Sequence, residues 1–479
     1  MHVLLVSPEL SPIQKVGGVG DGVAGLAKAL HRFGHAVTIA LPWAGAAPPV
    51  GFEAHGTIRL AGPDGAEITV DRHDGRLDAG LDVILLSAPS APPRRGVYGS
   101  DLGDDLADAR RFALYARAVI DIVIDRRRTG PPFDVVHAHE WPAAPIPYLL
   151  RRIDGPRPRT VMTVHNLAFQ GVFAPEALAW LGLGRESFHP ETLELFGRVD
   201  FLKAGLVGAD VITTVSPTYA REIRTPERGE ALDGVLRARA RDLVGITNGI
   251  DTDIFNPATD PALTARFDPD DLGGKARCKA AFCETVGLAA DRPLVASLGR
   301  LVDQKGTDLL AEALPAIVTA GAVVIVAGAG DPAHERAIAE ATARAAGRAV
   351  FLGRVDDDDA RRLLAAADLV VMPSRFEPCG VVQLEAQRYG ALPIARRTGG
   401  LADTIADASP DLATGTGFLF DEATAPALAA ATRRALHAMT LPGWDALRAR
   451  AMRAAPSWTG VARRYEAVYR GTVRGPLLG

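Results

Sequence analysis

The stretch from Leu369 to Gly400 constrains the fold more than any other part of the sequence. It begins with a short apolar run that ends at Pro373, continues as a polar loop through Gly380, and becomes a helix-like segment that Gly390 closes. A second short apolar run then leads into another loop. Strand, loop, helix and strand in this order form the unit of a parallel α/β sheet. Ligands bind such sheets beyond the carboxyl ends of the strands, so we expect a binding site at these two loops.

Both loops carry residue types that suit a ligand. Glu377 lies in the first loop, and Gly380 leaves backbone N–H groups free at the start of the following helix, where an anion binds well. The second loop ends in the pair Gly399–Gly400. A surface loop with a solvated glutamate is the alternative interpretation. We favour the binding site because these residues all fall at predicted strand ends.

Length and composition exclude several classes of protein. A chain of 479 residues is long for a single core and predicts two or three domains. The formal net charge of −4 provides no broad basic surface for nucleic acid or an anionic membrane. No apolar run reaches the roughly eighteen residues of a membrane span, and the first residues lack the features of a signal peptide. Three cysteines cannot form a disulfide framework, and a reducing cytoplasm fits this composition best.

The chain contains two successive series of strand and helix segments, each opened by a glycine-rich loop. The first series begins with a strand over residues 2–7 and a loop that ends at Gly22, followed by a helix from about residue 23 to residue 33. The second begins with a strand over residues 293–298 and the loop Gly299–Gly306. Alternating strands and helices predict parallel sheets. We therefore predict an α/β protein of two Rossmann-like domains that face a deep cleft, with the first domain ending near residue 244.

Lysine is rare in this sequence, which makes the position of each one informative. Only six of the 53 basic residues are lysine. A compact ammonium is kept where a planar guanidinium does not fit. Lys15 and Lys305 lie beside glycines in loops that follow strands, so both are candidate phosphate ligands. The G-G-x-G pattern after Lys15 lacks the G-x-G-x-x-G fingerprint of a dinucleotide site, which argues against an NAD-dependent enzyme.

Nine segments, collinear over nearly the whole chain, match one known family. In order they are KVGGVGDGV (15–23), HAHEW (137–141), TVHNLAFQGVF (163–173), FLKAGL (201–206), TVSPTYAREIRTPE (214–227), GITNGIDTDIFNP (245–257), GRLVDQKG (299–306), SRFEPCGVVQLEAQRYG (374–390) and RRTGGLADTI (396–405). On these motifs the chain resembles the bacterial glycogen synthases and the related starch synthases, which have the two-domain GT-B fold. The resemblance extends to SWTGVARRYEAVY (457–469), the closing helix of the family.

The resemblance implies an organisation and an activity. It implies an N-terminal acceptor-side domain over 1–244, a nucleotide-sugar-binding domain over 245–455, and a helix within 456–479 that packs back on the first domain. It implies a retaining transfer of glucose from ADP-glucose to the 4-hydroxyl at the non-reducing end of an α-1,4-glucan such as glycogen. No metal or other cofactor is expected, because positive side chains take the role that Mg²⁺ has elsewhere. The sequence leaves the oligomeric state open.

The resemblance also assigns the phosphate ligands residue by residue. Lys15 would approach the diphosphate of the donor, with Gly17 and Gly18 allowing the backbone to come close. Arg300 and Lys305 would hold the same phosphates as negative charge develops on the departing ADP. Fixed cations stabilise such a leaving group in the transition state. Ordinary surface charges are the alternative interpretation for this pair of side chains.

The sugar ligands are implied in the same way. Glu377 would bind the transferred glucose through hydrogen bonds, and Asp21 and His165 would contact it from the N-terminal domain. A core histidine at a strand end is the alternative interpretation for His165. Further positions would contact the sugar or phosphate through the backbone or shape the nucleotide pocket: Cys379, Gly380, Tyr389, Gly390, Thr398, Gly399 and Gly400. No carboxylate stands out as a nucleophile, so the front-face route is an implication of the family.

Two departures from the family pattern keep alternatives open. Glu140 in HAHEW stands where the family usually has Asp, and one extra methylene changes its reach. Glu385 stands where bacterial glycogen synthases often have Tyr and where related nucleotide-sugar glycosyltransferases have Glu. The alternatives are a related enzyme that uses a UDP- or GDP-sugar on another acceptor, and a glucan-binding protein without activity. Intact Lys15, Arg300 and Lys305 argue against the second, because binding alone does not need phosphate cations.

Overall fold

The computed structural model describes residues 1–43, 45, 47–77, 80–88, 96–98, 105–345 and 347–472. The chain divides into two compact units. Unit 1 comprises Met1–Ile246 and Thr459–Gly479, and unit 2 comprises Thr247–Trp458. Within the described ranges, every helix is too short or too polar to cross a membrane.

The described part of unit 1 contains a nine-stranded sheet and a three-stranded sheet. The larger sheet has the order β12-β11-β7-β6-β1-β2-β5-β4-β3 and is parallel from β12 to β5, with β4 and β3 added antiparallel at one edge. The smaller sheet, β8-β10-β9, is antiparallel. The strands are β1 His2–Val6, β2 Ala36–Pro42, β3 Phe52–Ala61, β4 Glu67–Leu77, β5 Leu81–Ser87, β6 Val135–His139, β7 Arg159–Val164, β8 Val172–Phe173, β9 Glu194–Leu195, β10 Arg198–Asp200, β11 Val211–Thr214 and β12 Leu243–Gly245.

Helices cover the parallel part of this sheet, as the burial of its strands on both faces requires. They are α1 Gly18–Arg32, α2 Asp105–Thr129, α3 Glu140–Ala143, α4 Pro145–Leu150, α5 Ala177–Trp180, α6 Phe201–Gly208, α7 Pro217–Glu222 and α8 Asp233–Ala238. The closing helix, which is numbered α17 in chain order, spans Trp458–Tyr469 and belongs to unit 1 from Thr459 onward.

The described part of unit 2 is built on one parallel sheet of six strands in the order β15-β14-β13-β16-β17-β18. The strands are β13 Leu294–Leu298, β14 Val323–Ala327, β15 Ala349–Gly353, β16 Leu369–Met372, β17 Leu392–Arg396 and β18 Phe418–Phe420. The helices are α9 Gly273–Val286, α10 Thr307–Thr319, α11 Pro332–Arg344, α12 Asp357–Ala366, α13 Val382–Arg388, α14 Gly399–Thr404, α15 Ala425–Ala438 and α16 Trp444–Ala454.

Two apolar cores lie on the two faces of the unit 2 sheet. In β14, Val324 and Val326 belong to one core, whereas Val323 and Ile325 belong to the other. Val371 of β16 belongs to the same core as Val324. Successive side chains of a strand point to opposite faces, so apolar runs without alternation must be buried on both. This is why the short apolar runs of the sequence predicted these strands correctly.

The first helix begins earlier than the sequence pattern predicted. We expected a loop through Gly22, but α1 already begins at Gly18. Glycine disfavours helix, so the pattern pointed to a loop. A tertiary contact overrides that preference. The carbonyl oxygen of Gly20 accepts a hydrogen bond from Ser11 N–H at 3.2 Å, and a Cβ added at Gly20 would lie only 3.3 Å from the same nitrogen.

A second difference occurs in the loop after β17. We expected this loop to include Gly399 and Gly400, but they form the first turn of α14. Other local predictions are confirmed. The acidic run beginning at Asp356 caps a helix, because the Asp356 carboxylate accepts a hydrogen bond from Asp359 N–H in the first turn of α12. The three cysteines are free and buried.

Candidate active site

The glycine-rich loop of unit 1 carries an exposed ion pair. Lys15 Nζ lies 2.9 Å from Asp21 Oδ2, and the two side chains are 37% and 46% exposed. Asp21 lies in the first turn of α1, and Gly17 is its N-cap residue. Exposed pairs of this kind contribute little to stability, so Lys15 is able to exchange Asp21 for a ligand anion at small cost.

A buried glutamate that the sequence analysis missed holds this loop in place. Glu9 is 2% exposed, and its Oε2 accepts hydrogen bonds from the backbone N–H groups of Val16 (2.7 Å) and Gly17 (2.9 Å). The Tyr98 hydroxyl donates to Glu9 Oε1 at 2.7 Å. Burial, with Glu9 beside it, raises the pKa of Tyr98 well above its usual value, so this hydroxyl remains a donor. The only signal in the sequence was a carboxylate directly after an apolar strand.

His165 follows β7 and contacts a second histidine. His165 Nε2 lies 3.1 Å from Nδ1 of His139, the last residue of the neighbouring strand β6. Burial lowers the pKa of His165 to about 4, so the ring is neutral at physiological pH. The structure therefore places His165 at the carboxyl end of the sheet, as the sequence predicted for a site residue.

Glu140 fixes the backbone beside His165. Its Oε1 accepts hydrogen bonds from the N–H groups of His165 (2.7 Å) and Asn166 (3.1 Å). The residue is buried and has a positive φ of 64°, which is uncommon for a side chain of this size. Burial raises the pKa of Glu140 to about 8, against the opposing effect of the two N–H groups. The residue that departs from the family pattern thus bridges two strand ends.

An ion pair also marks the site residues of unit 2. Lys305 Nζ lies 2.5 Å from Glu377 Oε2, and the Ser374 hydroxyl donates to the same oxygen at 3.1 Å. Glu377 is 4% exposed, whereas the Lys305 side chain is 28% exposed. A buried carboxylate needs such partners, and a carboxylate is also a strong acceptor for sugar hydroxyls.

The two site loops of unit 2 are held together by their backbones. Arg375 N–H donates to the Gln304 carbonyl oxygen at 2.8 Å. Gly306 has a φ of 65°, and a Cβ there would lie 2.2 Å from the Pro373 carbonyl oxygen. No other residue type fits this approach. Arg300, at the start of the same loop, is exposed to solvent.

The glycine pair supports the Glu377 loop from the other side. Gly400 N–H donates to the Glu377 carbonyl oxygen at 2.9 Å. A Cβ added at Gly399 would lie 1.9 Å from that oxygen, and one added at Gly400 would lie 2.1 Å from the Cys379 carbonyl oxygen. Thr398 is buried at the N-cap of α14. These residues thus shape the site by seating the loop that carries Glu377.

Two more predicted positions have a clear structural setting. Burial raises the pKa of the Cys379 thiol to about 12, so this side chain stays protonated and is no nucleophile. Tyr389 was expected to shape the nucleotide pocket together with Gly390. It is instead fully buried in the core, and its hydroxyl donates to Asp260 Oδ2 at 2.5 Å. Its effect on any pocket is therefore indirect.

The predicted residues form two sets, one in each unit. Those of unit 1 follow β1 and β7, which flank β6 in the sheet, and those of unit 2 follow β13, β16 and β17, which are also consecutive neighbours. Carboxyl ends of neighbouring parallel strands meet at one edge of a sheet, and this brings each set together. The members are Lys15, Gly17, Gly18, Asp21 and His165 in unit 1, and Arg300, Lys305, Glu377, Cys379, Gly380, Thr398, Gly399 and Gly400 in unit 2.

Comparison with known proteins assigns the family. The family model described as "Starch synthase catalytic domain" matches residues 2–238, and the one described as "Glycosyl transferases group 1" matches residues 282–456. A glycogen synthase from Anaeromyxobacter dehalogenans (strain 2CP-C) is 42% identical over 98% of this chain and 99% of its own length. One from Alkalilimnicola ehrlichii is 41% identical over 98% and 99%. The chain belongs to the glycogen synthase family.

Solved structures agree with this assignment. The catalytic domain of starch synthase IV from Arabidopsis thaliana matches with a TM-score of 0.89 and 32% identity, over 98% of this chain and 99% of that one. A sucrose-phosphate synthase from Thermosynechococcus elongatus matches with a TM-score of 0.62 at 19% identity, which shows the fold alone. The predicted GT-B class with two parallel-sheet domains is confirmed. As a glycogen synthase family member, the chain is a glucosyltransferase that elongates a glucan.

Unit 1 also contains a cavity that no sequence pattern indicated. Its volume is about 500 Å³. Trp141 and the loop 168–173 line it, together with Asp108 and Glu230. Both Trp141 and the loop belong to motifs that carried the resemblance. Asp108 lies in a segment that only loosely matches a family motif, and Glu230 lies outside the matching segments, so the sequence assigned a role to neither.

Proposed function

We propose that this chain transfers glucose from ADP-glucose to the 4-hydroxyl at the non-reducing end of an α-1,4-glucan such as glycogen, with retention of configuration. The observation that carries the proposal is the pair of Lys305 and Glu377 at the carboxyl end of the unit 2 sheet. Lys305 is a cation that can bind a phosphate, and Glu377 is a carboxylate that can bind a sugar hydroxyl. The two side chains contact each other directly. Binding of a nucleotide-sugar is therefore the role of unit 2 in this proposal.

The donor side rests on positive charge. Lys305 and the exposed Arg300 would neutralise the diphosphate as ADP departs, and Lys15 of unit 1 would add a third cation. Fixed cations stabilise developing charge without reorganisation at the moment of reaction. The choice of ADP is supported by the relative starch synthase IV, whose solved structure is bound to ADP and acarbose. No metal is needed in this proposal, because these side chains supply the charge that Mg²⁺ would otherwise provide.

Retention through a front-face route is part of the proposal. A double displacement needs a free carboxylate at the anomeric carbon. Glu377 is a poor candidate, since one of its oxygens already accepts from both Lys305 and Ser374. Asp21 is the exposed partner of Lys15, and the resemblance implies that it contacts the glucosyl unit rather than attacks it. These carboxylates are better suited to bind and orient the glucosyl unit, together with His165, than to attack it.

The acceptor side is assigned to unit 1. The buried Trp141 and the half-exposed Phe169 line the cavity, and the apolar face of a pyranose packs well on aromatic side chains. Asp108 and Glu230 add acceptors for sugar hydroxyls at the same cavity. Such a lining suits a neutral polyhydroxylated chain. We place the enzyme in the cytoplasm, which its three free, buried thiols support.

Donor competition tests the proposal. Incorporation of labelled glucose into glycogen would be measured from ADP-glucose, UDP-glucose and GDP-glucose in parallel, each with and without EDTA. We expect the highest kcat/KM with ADP-glucose and no effect of EDTA. Preference for UDP- or GDP-glucose would favour the alternative donor class that Glu385 suggests. A folded protein that binds glycogen but uses no donor would indicate a glucan-binding protein instead.

A further inference from the structure

Three histidines form a contiguous group towards the carboxyl ends of β6 and β7, with His165 partly exposed. The ring centroids of His137 and His139 lie 4.0 Å apart, and those of His139 and His165 lie 5.4 Å apart. His139 is 2% exposed and His137 is fully buried. The proposed function assigns a role to His165 only, so the other two histidines require an explanation.

All three rings are neutral. Burial lowers the pKa of His137 to about 3 and that of His165 to about 4, and it lowers the pKa of His139 well below its usual value. A neutral imidazole has one nitrogen that donates and one that accepts. The tautomer of each ring therefore determines which nitrogen offers a proton.

The surroundings of His139 distinguish its two tautomers. Its Nδ1 faces His165 Nε2 at 3.1 Å, whereas its Nε2 is buried and has no hydrogen-bond partner among the described residues. A proton on Nε2 would be an unpaired buried donor, which folded proteins rarely contain. A proton on Nδ1 instead donates to His165 Nε2. His165 Nε2 must then be the acceptor, and the proton of His165 lies on Nδ1.

The ring of His139 packs against the ring of His137, which has a hydrogen-bond partner at each nitrogen. Both nitrogens of His137 have partners, since Nδ1 lies 2.8 Å from the Tyr469 hydroxyl and Nε2 lies 2.5 Å from Thr163 Oγ1. Tyr469 belongs to the closing helix α17. His137 packs against the face of His139, so the orientation of His139 is fixed through two elements distant in sequence.

We propose that His139 is a positioning residue that fixes His165 as the neutral tautomer protonated at Nδ1. His165 then offers an N–H donor to an oxygen of the glucosyl unit, and it does not act as a base through Nε2. The inference rests on the proposed function, in which His165 contacts the glucosyl unit. It adds the protonation site of that contact and the residue that sets it.

The tautomer is measurable in the full chain without any assay of activity. Long-range ¹H–¹⁵N correlation spectra of ¹⁵N-histidine-labelled protein distinguish protonated from unprotonated ring nitrogens, and a His165→Gln variant identifies the signals of His165. We expect an unprotonated Nε2 and a protonated Nδ1 for His165. A His165 ring protonated at Nε2 would overturn the proposal.

Two substitutions of His139 test its role in the reaction. Asn places its amide near the position of Nδ1 and keeps a donor towards His165, whereas Gln places its amide near the position of Nε2 and does not. We expect His139→Gln to lower kcat by about 10- to 100-fold with little change in the KM for the donor, as small misplacements do. We expect His139→Asn to restore much of that loss. Equal activity of the two variants, or a loss of less than twofold in His139→Gln, would contradict the proposal.

The two proposals fail in different ways. If the full chain transfers no glucose from ADP-glucose, the proposed function fails, while the spectra still determine the tautomer. If transfer is efficient and His165 is protonated at Nε2, the function stands and the role of His139 is wrong. Thermal unfolding of each variant, followed by circular dichroism, shows whether a loss of kcat arises from an unfolded protein.

Discussion

At the scale of single residues, the partners of a buried glutamate determine what it does. Glu9 and Glu140 accept hydrogen bonds from backbone N–H groups and hold loops, whereas Glu377 accepts hydrogen bonds from the Lys305 ammonium and the Ser374 hydroxyl. All three are buried at strand ends. Only Glu377 faces a cation at the sheet edge where a donor phosphate would bind. The same residue type therefore holds backbone at two positions, and at the third we propose that it binds the substrate.

The raised pKa of Glu140 predicts a pH dependence of stability. Its pKa rises from 4.5 in the unfolded chain to about 8 in the folded state, so the folded state binds the proton more tightly. Stability from this group is fully present below pH 4.5 and falls as the pH rises towards 8. Gln cannot ionise and keeps an oxygen for the two N–H groups. We expect the Tm of Glu140→Gln, relative to that of the unmodified protein, to be higher by about a few °C at pH 8 than at pH 5.

Thermal unfolding followed by calorimetry at several pH values provides that comparison. Glu53, an exposed glutamate in β3, is the matched control, and Glu53→Gln should show no such trend. A constant Tm difference between Glu140→Gln and the unmodified protein from pH 5 to pH 8 would contradict the assignment.

At the scale of elements, close backbone contacts decide the shape of the donor loops. The turn that begins α14 presses against the loop that carries Glu377, and only glycine permits the contact. A rigid loop affects the reaction rate more than the free energy of unfolding, because misplacement of a substrate-binding side chain by about 1 Å slows catalysis strongly. We therefore expect the glycine pair to matter for the reaction through its backbone contacts with this loop.

A Gly400→Ala substitution tests this role. Its Cβ would lie 2.1 Å from the Cys379 carbonyl oxygen, so the loop must move. We expect kcat/KM to fall by on the order of 100-fold, with a cost in stability of about 1–3 kcal/mol from overpacking. Gly460 lies in α17 with open space around its Cα, and Gly460→Ala should leave activity unchanged and raise stability slightly. Steady-state kinetics and thermal unfolding of both variants give the answer, and full activity of Gly400→Ala would refute the contact.

The elements also show what sequence reasoning could and could not recover. Short apolar runs predicted the parallel strands, and strand ends then located Glu377 and Lys305. The start of α1 was wrong because glycine propensity points to a loop, while a contact with Ser11 stabilises the helix. Glu9 and His139 were missed for a related reason. Their partners lie elsewhere in the chain, and no local pattern encodes a pairing between distant residues.

At the scale of the whole molecule, the closing helix completes unit 1. α17 brings Tyr469 to His137, although 332 residues separate them in the sequence. Val461, Tyr465 and Val468 of the same helix are buried. The last helix of the chain is therefore a structural part of the unit formed by its first half. This arrangement explains how a contact at the end of the chain can reach the histidines near His165.

Tyr469→Phe removes that hydrogen bond and little else. We expect a loss of stability of about 1 kcal/mol, the usual contribution of one hydrogen bond, together with the smaller fall in kcat expected when His137 is less firmly held. Hydrogen exchange followed by mass spectrometry should show faster exchange in β6 and unchanged exchange in β14 of unit 2. Equal protection of β6 in both proteins would show that Tyr469 does not hold the histidine group.

The proposed role of Lys305 and Glu377 is tested most directly by the rate of glucose transfer from ADP-glucose to glycogen in variants of this pair. We expect strong activity in the unmodified chain and losses of about 10²- to 10³-fold in Lys305→Gln and in Glu377→Gln. Because the two side chains form one unit, the double variant should lose much less than the product of the single losses. Activity within a few-fold of the unmodified chain in either single variant would contradict the central claim.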